Sequence, residues 1–138
     1  MTSIKFYVCR DAALDSRLLL ACKLAQKARE HGMHVYIHTD TSTTTQKIDE
    51  LLWSWSDISF MPHALAPDPD VHILLGYEYE PMKHCDYLIN LSGARPDFFG
   101  RFKRMAEILD QDPEILTNGR DRYRFYQDRG YKLDYHKL

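Results

Sequence analysis

Apolar and polar positions change period in a regular way along this 138-residue chain. Residues 4–9 alternate and are rich in β-formers, which predicts a first strand. Over residues 15–31 the period becomes helical, with Leu18, Leu19, Cys22, Leu24, Ala25 and Ala28 apolar and Gly32 following the end. Residues 33–38 predict a second strand. A second helix is expected over residues 41–53, entered through Asp40 and threonines suited to capping. Residues 58–61 are extended and stopped by Pro62, and residues 64–71 read as a loop. Continuous apolar runs at 71–75 and 87–91 predict strands covered on both faces. A short helix at 98–104, a strand at 105–109, a helix from Pro113 and a tail over 131–138 complete the pattern. This alternation predicts a single α/β domain over residues 1–138, with a mainly parallel sheet and helices on both faces.

The last helix carries the clearest surface chemistry. At about 100° per residue, Ile115, Leu116, Gly119, Tyr123 and Tyr126 form one apolar arc that should bury against a core. Arg120 and Gln127 lie on one border, Arg122 and Arg129 on the other, and Phe125 falls outside the arc. Gly130 stands where a left-handed residue closes a helix. Arginine forks beside aromatic surface suit a partner bringing carboxylates or phosphates with an apolar anchor. The plain alternative is a solvated face, with Asp121 and Asp128 paired to Arg124 and the arginines drawn by the helix dipole.

Composition narrows the partner. The net charge of −2 excludes a generally basic nucleic-acid binder, yet the charge is uneven. Residues 1–100 hold 9 basic and 13 acidic residues, whereas residues 101–138 hold 9 basic and 7 acidic. An anionic partner is therefore expected at the C-terminal end. A modest patch suits an acidic peptide tail better than a duplex, which needs many phosphate contacts. No run is long enough to span a membrane, and residues 1–10 are too short and mixed for a signal peptide. Cys9, Cys22 and Cys85 are odd in number and far apart, so neither a disulfide framework nor a Cys-x-x-Cys site is expected. A reducing cytoplasm is the expected compartment.

Enzyme motifs are thin. The turn after the first strand, residues 10–14, has no glycine to admit a pyrophosphate, and nothing matches a dinucleotide fingerprint or phosphate loop. No cofactor is expected. His31, His34 and His38 lie near the second strand without a ligand spacing, so no metal is expected. Leu91-Ser-Gly93 is only a turn, and neither Cys9 nor Cys85 has a base paired with it in sequence. The competing class is a small nucleotide- or phosphate-using hydrolase with Asp11 and Asp40 near strand ends, which would need an anion-cradling glycine loop. A third class is direct single-stranded DNA binding through stacked aromatics.

Residues 51–63 pack two tryptophans, a phenylalanine and a methionine into a helix end and a strand. Trp53, Trp55, Phe60 and Met61 exceed what a helix exit usually buries, which marks a protein–protein hot spot. The alternative is that they cap the core beneath the prolines of residues 62–69.

These stretches resemble the chi subunit of bacterial DNA polymerase III holoenzyme. The matching motifs are Lys5-Phe-Tyr7, Asp49-Glu-Leu-Leu-Trp53, Ser59-Phe-Met-Pro-His63, Asp86-Tyr-Leu-Ile-Asn-Leu91, Glu107-Ile-Leu-Asp110 and Arg120-Asp-Arg-Tyr-Arg-Phe-Tyr-Gln-Asp-Arg-Gly-Tyr131. They run in order through nearly the whole chain. The resemblance implies a non-catalytic adaptor with a Rossmann-like core. It implies binding to the psi subunit, and through psi to the clamp loader, and to the acidic C-terminal tail of single-stranded DNA-binding protein (SSB). Nucleic acid would then be reached only indirectly, and a repair helicase is a further candidate partner. The family's tail-binding arginine falls on Arg120 and its aromatic neighbour on Tyr123, with Arg124 and Lys132 adding attraction. Its psi-facing tryptophan and phenylalanine fall on Trp53 and Phe60, with Met61 adjacent. Some relatives carry a basic residue one turn before the arginine, where this chain has Leu116.

Overall fold

Among the described residues, seven strands form one sheet in which every hydrogen-bonded pair is parallel. The computed structural model describes residues 1–54, 63–66, 72–82 and 85–138. In chain order the elements are β1 (Ser3–Val8), α1 (Leu14–Glu30), β2 (Val35–Thr39), α2 (Ser42–Ser54), β3 (His63–Leu65), β4 (Ile73–Tyr77) and β5 (Tyr87–Asn90). A single 3-10 turn at Phe99–Arg101, then β6 (Arg104–Leu109), α3 (Pro113–Asp128) and β7 (Lys132–Lys137) follow. Across the sheet the order is β3-β4-β2-β5-β6-β1-β7.

Side-chain alternation sorts the strands between two cores. On one face α1 buries Leu18, Ala21, Cys22, Ala25 and Ala28, at the three- and four-residue spacing of a helical stripe. It packs with Ile48 and Leu52 of α2 over Val35, Ile37, Ile73, Leu75 and Ile89. On the other face Ile4, Phe6 and Val8 of β1 lie with Tyr36, Leu88 and Met105 under Tyr126 of α3 and Phe99 of the 3-10 turn. The α/β class, the parallel sheet and helices on both faces agree with the sequence reading. Among the described residues no helix is long and apolar enough to cross a membrane.

Four local expectations change. The tail over 131–138 is an edge strand, because Lys132–Lys137 pairs in register with the whole of β1. The helix expected at 98–104 is only one turn. At the start of the expected loop, Ala64 and Leu65 instead continue a strand from His63 that pairs with β4, and the buried His63 ring is held by Asp49 at 2.9 Å. Asp40 does not cap α2. Its carboxylate accepts from the Gly93 N–H at 3.0 Å, while the Thr41 hydroxyl accepts from the Thr44 N–H. The strand expected at 58–61 lies outside the described residues.

His38 ties stability to pH. The Tyr36 hydroxyl donates to the Tyr79 carbonyl, leaving its oxygen to accept from His38 Nδ1–H at 3.1 Å. Burial holds the His38 pKa below 6.5, outweighing the opposite pull of Asp40. The unfolded chain therefore binds the proton first, and His38 makes stability fall as pH drops through 6.5. Melting temperature is expected to decline between about pH 7.5 and 5 more steeply in the parent than in His38→Gln. Equal slopes would show that His38 does not carry the effect.

Candidate functional site

α3 is fixed to the sheet at its start, middle and end. Asp112 accepts from the Glu114 and Ile115 N–H groups, and Pro113 occupies the first turn. At Gly119 a Cβ would meet the methyl groups of the buried Leu109 side chain, which would have to shift to admit it, so glycine suits the close approach to β6. Gly130, at φ 79°, turns the chain into β7.

Beneath α3 lies a closed polar network. Glu107 of β6 is fully buried and accepts from Arg122 Nε (3.0 Å) and Nη2 (3.3 Å), the Tyr126 hydroxyl (2.7 Å) and Asn90 Nδ2 (2.8 Å). Arg122 also donates to the Gly93 carbonyl at 3.1 Å. Burial pushes the Glu107 pKa up, and Arg122, Tyr126 and Asn90 oppose it. Arg122 is therefore a structural arginine; the border it occupies faces the sheet. Phe125 also has a place the sequence did not reveal. The guanidinium groups of Arg95 and Arg129 lie 3.7 and 4.7 Å from its ring centre.

The opposite flank of α3 is the open one. Arg120 and Arg124 are exposed, one turn apart, and neither forms an ion pair among the described residues. The pairing of Arg124 with Asp121 or Asp128 does not occur. Tyr123 is half-buried, edge-on to Phe6 at 5.2 Å and to Tyr135 of β7 at 6.3 Å. Phe6 and Tyr135 are themselves register partners, so three rings from α3, β1 and β7 meet on one ledge. Tyr135 remains 51% exposed.

Lys132 does not join this flank. Leu133 packs into the α3-side core and Tyr135 touches Tyr123, so Lys132, Asp134 and His136 point to the α1 face. The lysine of β7 that shares the α3 face is Lys137. Tyr135 and Lys137 were missed in the sequence, where only the alternation of Leu133, Tyr135 and Lys137 could have signalled them.

The second predicted surface is at the far edge of the sheet. Trp53, near the end of α2, is 45% exposed, and its ring lies tilted against that of His63 of β3 with the centres 4.4 Å apart; Leu65 of the same strand is also 45% exposed. Phe60 and Met61 lie outside the described residues. The carboxylates of the competing hydrolase reading are bound by the chain itself. Asp11 accepts from the Ala13 N–H and the Ser16 hydroxyl, which holds its pKa low, and Asp40 is engaged as above. The three histidines go to different partners: His31 to the Lys27 carbonyl, His34 to Asp86 and His38 to Tyr36. Burial raises the Cys22 thiol to about 12, far from a thiolate nucleophile.

The family described as DNA polymerase III chi subunit, HolC, matches residues 1–134. The chain belongs to the chi family. It is similar to DNA polymerase III subunit chi of Pseudomonas aeruginosa, with 40% identity covering 100% of this chain and 98% of that one. The chi subunit of Haemophilus influenzae is 28% identical, over 94% of this chain and 92% of its own. That of Escherichia coli K12 is 25% identical, over 83% and 81%.

Proposed function

We propose that this chain is a non-catalytic adaptor of the replicative DNA polymerase III, joining psi, and through it the clamp loader, to the acidic tail of SSB. The placement of the two surfaces supports this best. The Trp53 surface borders β3 and the Tyr123 ledge borders β7, at opposite edges of the sheet. Six strand spacings of about 4.8 Å separate them by about 29 Å, so one partner does not obstruct the other. Arg120 would hold a tail carboxylate, Arg124 would add attraction, and the Tyr123–Tyr135 ledge would take an apolar side chain. Trp53, with Phe60 and Met61, would seat psi, and a repair helicase is a second candidate for that surface. A single charge-assisted contact gives weak, salt-sensitive binding, but many tails presented together raise the effective concentration. Such an assembly implies a cytoplasmic protein.

The reading requires both partners at once. Psi-loaded protein is expected to bind a tail peptide as tightly as the free chain, measured by calorimetric titration. Mutual exclusion would defeat the bridge. Trp53→Ala is expected to lose co-purification with co-expressed psi, through an anchor worth at least about 2 kcal/mol, while peptide affinity is unchanged. Full recovery of psi with the variant would remove Trp53 from the interface.

A further inference from the structure

A cavity of about 600 Å³ opens on the face of the sheet away from the Tyr123 ledge, between α1 and the N-terminal ends of β1, β5, β6 and β7. Its wall carries Lys5, Lys27, Arg104 and Lys132, against one acid, Asp134. None of the four cations is ion-paired among the described residues. The floor is apolar and aromatic, with Tyr7 and Tyr87 half-buried among side chains of α1. The site exists because α1 packs over β2, β5 and β6 and stops short of β7. The outward positions of β1 and β7 are thereby left facing a hollow.

Four cations against one acid, with the Lys5 ammonium 5.1 Å from the Tyr7 ring centre, give one concavity of a chain with net charge −2 the character of a site for a polyanion. Its release of bound counterions would drive association. A chain of carboxylates would satisfy the rim and leave the aromatic floor empty. Phosphodiester strands bring charge at the rim and flat rings for the floor, the combination that single-strand sites use. The hollow is too small for a duplex. We propose that this cleft binds single-stranded nucleic acid, with the phosphates on Lys5, Lys27, Arg104 and Lys132 and bases against Tyr7 and Tyr87. The site is separate from the tail ledge, so a strand and an SSB tail can be held together.

The test is fluorescence anisotropy of a labelled oligothymidylate with the full chain at low salt. Binding is expected, with log affinity falling against log salt with a slope of roughly −3, as about four phosphate contacts require. Lys27→Glu and Lys132→Glu, both at exposed positions, should each weaken it about fivefold or more without changing the thermal melt. Arg120→Ala should leave it unchanged. Absence of binding, indifference to both charge reversals, loss through Arg120→Ala, or equal competition by polyglutamate would each overturn the proposal.

Discussion

Arg122→Ala is expected to destabilise the fold by about 3–5 kcal/mol, the usual consequence of leaving one member of a buried ion pair behind. Glu107 has no exposed surface in the folded chain, and Arg122 supplies two of its four hydrogen bonds. Loss of the guanidinium lifts the already raised Glu107 pKa further. A folded acid titrating above its unfolded value binds the proton more tightly when folded, so the variant loses stability as pH rises through that folded value. The defect should therefore be deepest at alkaline pH and shallower in mild acid, as measured by urea unfolding at each pH. The double change Glu107→Leu with Arg122→Met should recover part of the loss, since it removes both charges but leaves the Tyr126 hydroxyl and Asn90 short of an acceptor. A loss below about 1 kcal/mol for Arg122→Ala would mean that the pair is effectively solvated.

Arg120→Ala is expected to weaken SSB-tail binding roughly 10- to 100-fold, from a contact to charge of about 1.5–3 kcal/mol. Psi co-purification should be unaffected. The guanidinium is exposed and makes no ion pair among the described residues, so its removal leaves no orphaned partner and no change in folding. The structure sharpens the control. Lys132→Ala should leave tail affinity unchanged, because that lysine lies across the sheet, whereas Lys137→Ala and Tyr135→Ala should each reduce it. Raising salt should compress these differences. If Arg120→Ala bound the tail peptide like the parent, or if Lys132→Ala matched its loss, the α3 ledge would not be the docking site.

Much of the fold was legible because its elements carry strong local periods. The stripe on α1 and the apolar runs of β4 and β5 are covered by other parts of the chain, so burial marks the sequence. β7 left no such mark. Its residues are mostly exposed, and it is a strand only because β1 offers a partner more than a hundred residues away. Arg122 was misjudged for a related reason. A helical projection shows which border an arginine occupies, but not that a glutamate waits opposite on a strand that otherwise reads as apolar. Of the candidate site, Arg120, Tyr123 and Trp53 were singled out by local chemistry and by the family resemblance. Tyr135 and Lys137 depend on the register of an edge strand, which no local pattern determines.

The position of β1 sets the order in which the molecule can be completed. Ser3 aligns with both Arg104 and Lys132, so an early strand is enclosed by two that come much later in the chain. During synthesis β1 must wait, unpaired on both sides, until β6 and β7 have been made. Long-range parallel pairing of this kind is slow to close. A message truncated before Lys132 would yield a product with β1 exposed along one side, open to pairing with a second unfinished chain. Late synthesis of β7 thus closes the sheet beside β1 and creates the Tyr135 edge in a single step.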